Sequence, residues 1–227
     1  NAGGKVVLDG GILAGTGFMS TNASTSLEVT TNGTIDGTSQ NVQLDGATGV
    51  DHGATLTLKG KLTNKGALSL DGNAGNSDRA SLAVSGAVTL QGGGTVLLHD
   101  LYNGGTYQSA GAAAITGASA TDVLTNVDNT ISGYGQIGQG KMSLVNKGTI
   151  TATASTLTLD TGTSVIVNTG GLRGEGGNLV INSPLITGAL VTSSAGGTVT
   201  FRSSVTNSGG LQFNAGGKVV LDGGILA

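Results

Sequence analysis

The chain has 227 residues, 43 of them Gly, with one Pro and no Cys; 10% are charged, 3% are aromatic, and the net charge is −3. An ordinary soluble domain carries about a quarter charged residues, and here the few Lys and Arg are scattered without a basic run, which argues against a nucleic-acid partner. No apolar run approaches the ~20 residues of a membrane-spanning helix, and the lack of Cys excludes a disulfide framework and thiolate metal sites.

The chain opens with NAGGKVVLDGGILA at Asn1–Ala14, and the same fourteen letters return at Asn214–Ala227. Identity over that length implies one long unit at 1–213, followed at 214–227 by the start of the next identical copy. The chain therefore reads as a slice from a tandem array, in which length or multiplicity matters more than a single reactive centre. Hydrophobic residues reach 37%, with Val, Ile, Leu and Thr recurring throughout. That is enough to bury a core and argues against disorder. The core is narrow, because large side chains are nearly absent.

Taken in order, the short runs Lys5–Asp9, Ala54–Leu58, Ser81–Val84, Thr156–Leu159 and Thr198–Phe201 alternate apolar and polar residues and are bounded by Gly, Asn or Asp. Period two with turn punctuation predicts strands. No window has helical periodicity, and the Ala-rich stretch 110–120 is interrupted by Gly111 and Gly117.

Two short patterns recur. The first, apolar-x-Asn-x-Gly-x-apolar, centres on Asn64 and Asn146, with looser copies at Asn32, Asn168 and Asn207. The second, apolar-x-Leu-Asp-Gly, ends strands near Asp9, Asp45, Asp71 and Asp222, with a variant at Asp160. A short solenoid repeat is about 20 residues long. The step from Asn146 to Asn168 is close to one such length, Asn168 to Asn207 close to two, and Asn64 to Asn146 close to four. The predicted fold is all-β: a parallel β-helix of about 10–11 rungs of about 20 residues, on the order of 50 Å long. Asn turns the corners and stacks in amide ladders. The competing β-sandwich array needs longer strands, more aromatics and more Pro.

The segments Leu124–Ala152, Val205–Leu211 and Gly86–Thr95 resemble the repeats of giant bacterial β-strand-repeat surface proteins of the filamentous-haemagglutinin and autotransporter-adhesin type. The resemblance extends over about Ser81 to Ala215. It implies export from a Gram-negative bacterium, display as an extracellular or cell-surface rod, and a role in adhesion, matrix or fibre formation. It supplies no catalytic motif.

Other constellations have plain structural readings. Gly133-Tyr-Gly135-Gln-Ile-Gly138 matches a dinucleotide fingerprint, but turn and strand residues follow it where a helix is needed. It is expected to be a glycine-rich corner. Gly174–Leu179 only faintly echoes a calcium-binding nonapeptide. The strand-end Asp residues are expected to accept turn hydrogen bonds; no metal or cofactor is expected. Carboxylates are dispersed and no nucleophile motif accompanies His52 or His99, so the chain is expected not to be an enzyme. Tyr102 and Tyr107 interrupt the alternation and are candidate glycan contacts, against the plainer expectation that they pack on the shaft. The expected partner is a further copy of the same unit, joined end to end through open rungs. The second expectation is a module binding host or bacterial surface glycans by multivalency. Neither nucleic acid nor membrane insertion is expected.

Overall fold

Every described strand of the computed structural model joins one parallel sheet that coils on itself. The structure describes residues 4–14, 20–21, 26–72, 78–100 and 113–227. Among these there is no helix.

The chain winds as a β-solenoid with rungs of about 22 residues. Each rung has three short strands, so the rod has three faces. One column of register partners climbs the first face from Val6 through Leu27, Thr48, Leu68, Val96, Ile131, Ile150, Leu172 and Val191 to Leu211. The second face carries Gly33, Leu56, Leu82, Ile115, Ile137, Leu159, Ile181, Phe201 and Leu221. The third face includes Val88, Leu124 and Leu144, and above them Ile166, Leu185 and Val205. Most steps along the first face are near the typical rung length, but the steps from Leu68 to Val96 and from Val96 to Ile131 are distinctly longer. The rungs are thus slightly longer than the sequence spacing suggests, and the unit holds fewer of them than the expected ten to eleven.

The alternation seen in the sequence is the inside–outside alternation of a pleated strand. Ser26–Val29, Val123–Asn126, Ser143–Asn146 and Thr198–Phe201 each bury every second residue. The inward residues form one continuous aliphatic column along the axis. It is wide enough for Phe201, which is fully buried.

Corners are made where side chains disappear. The strand Thr130–Gly138 crosses from first to second face, and its register shifts between Gly133 and Gly135. Gly133 has φ +118°, and a Cβ there would strike the Leu98 carbonyl of the rung below. The dinucleotide-like Gly133–Gly138 segment is therefore a bend in a strand.

Candidate functional site

The most organised polar feature is a line of amides buried at the corner between the third and first faces. Asn126, Asn146 and Asn168 are register partners and end their strands there. Asn126 Nδ2 donates to Asn146 Oδ1 at 2.8 Å, and Asn146 Nδ2 donates to Asn168 Oδ1 at 2.7 Å. Asn168 Nδ2 then donates to the Thr187 hydroxyl at 2.9 Å, which donates to the Ala189 carbonyl at 3.1 Å. Each amide also closes its own corner: Asn146 donates to Gly148 O and Asn168 to Gly170 O. All these side chains are buried. A buried amide without partners is costly, and here each is satisfied by the rung above and its own turn. Bonds running head to tail polarise one another in the same direction.

The line continues downward by skipping a rung. Asn64 Nδ2 donates to Asn129 Oδ1 at 3.2 Å and to Thr95 O at 3.1 Å. The intervening corner is Gly92-Gly93-Gly94; a Cβ at Gly94 would press on the Asn64 amide, and one at Gly92 on the Asn64 carbonyl. Gly92 and Gly94 thus open a gap through which the amides of two non-consecutive rungs meet. Asn64 Oδ1 is buried and has no partner.

Of the residues singled out in the sequence, Asn64, Asn146 and Asn168 lie on this line. Asn207 pairs in register with Thr187, but its amide serves its own turn, accepting from Gly209 N and Gly210 N and donating to Gly210 O. Asn32 is exposed at the start of a second-face strand beside Thr55, away from the line. Asn126, Asn129 and Thr187 were missed. The Asn126 corner reads Asn-Val-Asp-Asn, without the expected Gly, and Thr187 carries a hydroxyl in place of the amide. Tyr102 and Tyr107 lie outside the described residues.

The strand-end aspartates have separate partners. Asp9 accepts from the Thr31 hydroxyl at 2.7 Å, Asp45 from the Gln43 amide at 2.7 Å, and Asp160 from Gly162 N at 2.9 Å. Asp71 bonds His99, and Asp222 meets Arg202 at 3.0 Å. Among the described residues, no group of three or more His, Asp or Glu is placed to hold a metal ion.

Asp122, off the repeat pattern, holds a different corner. Its carboxylate accepts from Gly86 N at 2.7 Å, Ala118 N at 2.8 Å and Ser119 N at 2.9 Å. Led by the Gly86 bond, these donors hold its pKa below the ordinary Asp value against the opposing effect of burial. Asp36 is lowered by the Thr38 hydroxyl and N–H. Asp51 is raised, first by burial and then by the nearby charges of Glu28 and Asp71.

One open polar cleft of about 320 Å³ lies on the second face, lined by Gln136, Gln139, Thr158, Asp160 and Asn182. The Oδ1 of Asn182 is buried and unpartnered.

Comparison with protein-family models, curated proteins and solved structures finds no match to this chain.

Proposed function

We propose that the chain is a non-enzymatic structural repeat of a long extracellular rod, a bacterial surface adhesin or fibre whose unit copies set its reach. The carrying observation is the unbroken register column from Val6 to Leu211 in a chain whose first fourteen residues return at Asn214. A fold whose rungs stack mainly on their neighbours lengthens by adding units at no cost to those already stacked. The sparse charge and Gly-rich corners serve stacking, and the pattern resemblance to filamentous-haemagglutinin-type repeats points the same way. An antibody raised against the chain tests this reading on intact source cells. Surface labelling that external protease removes is the expected result. Signal confined to the cytosol after lysis would overturn it.

A second reading, a glycan-binding module acting by multivalency, draws on the polar cleft. Planar amides and a carboxylate at Gln136, Gln139, Asp160 and Asn182 are the groups that bind vicinal hydroxyls. In this reading, Gln136→Ala with Asp160→Ala reduces retention on a glycan array at unchanged melting temperature. The same array separates the cleft from Tyr102→Ala with Tyr107→Ala.

A further inference from the structure

The two copies of the fourteen-residue segment lie on different faces of the rod. Lys5–Leu8 is a first-face strand, paired with Ser26–Val29. Its copy, Lys218–Leu221, is a second-face strand, paired with Thr198–Phe201. The next strand makes the same move. Leu13 pairs with Ile35 on the second face, whereas its copy Leu226 bridges Val205 on the third. That bridge is supported by Val205 N to Ile225 O at 2.7 Å and Ala227 N to Val205 O at 2.8 Å.

The inward set is preserved through the move. Val6 and Leu8 sit in register with buried Leu27 and Val29, and Val219 and Leu221 with buried Val199 and Phe201. The first-face column climbs nine steps from Val6 to Leu211, and Lys218–Leu221 stands one face beyond its top. The sequence period is therefore not a whole number of turns.

The first and last described rungs are exposed in complementary ways. Leu8, in register with Val29, is 8% exposed, while its copy Leu221, whose register partner Phe201 lies on one side only, is 50% exposed. Conversely, Val6, on the first described rung, is 47% exposed, whereas its copy Val219 packs on the core. What covers Leu221 is thus specified by the first copy: the counterpart of Ser26–Val29 in the continuing unit.

We infer that the open end at 205–227 is the seat for the rest of a second copy of this unit, and that each copy is turned by one face, about a third of a turn, relative to the one before. Each copy advances about 45 Å at ~4.8 Å per rung. Any outward feature returns to the same side of the rod only at every third copy, about 135 Å on. A surface group repeated once per unit therefore spirals over all three faces. The inference concerns how units join and holds whatever the rod's biological role.

Introduced cysteine pairs test it, since the chain has no cysteine of its own. Register partners on adjacent parallel strands lie within disulfide reach. Thr200→Cys with Val220→Cys is expected to bridge fully on mild oxidation, and Thr192→Cys with Val220→Cys to stay reduced, with both variants keeping the parent circular dichroism. The reverse pattern, which places the copy on the first face, overturns the inference. Should neither pair close, spin labels at the same sites name the face by the shorter distance. In a chain of four joined units with one gold label per unit at Glu175→Cys, tomography is expected to show labels stepping around the rod with the first and fourth aligned. Four labels along one side overturn it.

Discussion

Single residues in this rod are judged by a strict criterion: an inward position must be apolar or fully bonded. Thr48 fails it. Its side chain stands in register between Leu27 and Leu68 in the core column, and its hydroxyl is buried with no partner. Thr48→Val keeps the shape and removes the orphaned group, so a gain of about 1 kcal/mol is expected in denaturant unfolding. Asp122 meets the criterion through its charge. Its lowered pKa means that the folded state favours the carboxylate. That stabilisation is complete above about pH 4 and is lost as pH falls through the folded value. Asp122→Ala leaves three backbone donors without their acceptor, and a loss of about 3 kcal/mol at pH 7 is expected. The difference from the parent should shrink below pH 3 in acid-unfolding curves. Asp51 has the opposite sign. Its raised pKa means that the charged form is disfavoured in the fold, so Asp51→Asn is expected to raise the melting temperature at pH 7 and to lose that advantage in acid.

At the scale of strands and corners, the stacked amides define the turn between third and first faces. Asn146 sits mid-line, accepting from Asn126 and donating to Asn168. Asn146→Ala orphans groups on both neighbouring rungs, and a loss of about 2–4 kcal/mol is expected. Asn207→Ala, whose amide serves only its own exposed turn, is expected to cost about 1 kcal/mol, both losses being read from denaturant unfolding. Comparable losses at both sites would contradict a cooperative line. The sequence revealed the alternating strands and the amide corners at Asn64, Asn146 and Asn168, because period two and a fixed Asn–Gly spacing are local signals. It did not reveal Asn126, whose corner lacks the Gly, nor Thr187, which does the same task with a different group. Nor did it separate Asn32 from the line, since the same local pattern suits a corner between two other faces. The skip from Asn64 to Asn129 depends on the missing side chains at Gly92 and Gly94 and on two rungs of unequal length. No short pattern encodes that arrangement.

For the whole molecule, cohesion comes from backbone stacking and a thin aliphatic column rather than from charge. The ion pairs of the described residues, such as Lys5–Glu28, Lys65–Asp45 and Arg202–Asp222, involve partly or largely exposed groups, and pairs of that kind contribute little and are screened by salt. Raising NaCl from 0.05 to 1 M is therefore expected to move the melting temperature by no more than about 2 °C. Because each rung is held mainly by its neighbours, with the Asn64–Asn129 bond reaching one rung further, amide exchange is expected to be slowest around Ile131–Leu159 and to quicken toward both ends. Uniform protection from Lys5 to Leu221 would instead indicate a single all-or-none unit.

That the strand Lys5–Leu8 fits the first face and its copy Lys218–Leu221 the second, with the same side chains turned inward, bears on how a gene built of such copies would change length. Recombination between misaligned copies deletes or adds a stretch whose size is set by where the matching letters fall. In a rod whose faces were distinct, only crossovers spanning whole turns would leave a chain able to fold. Where faces substitute for one another, a crossover need only keep the strand and its corner intact. The permitted step then falls from a rung to a third of one, and inheritable variation in reach becomes correspondingly finer.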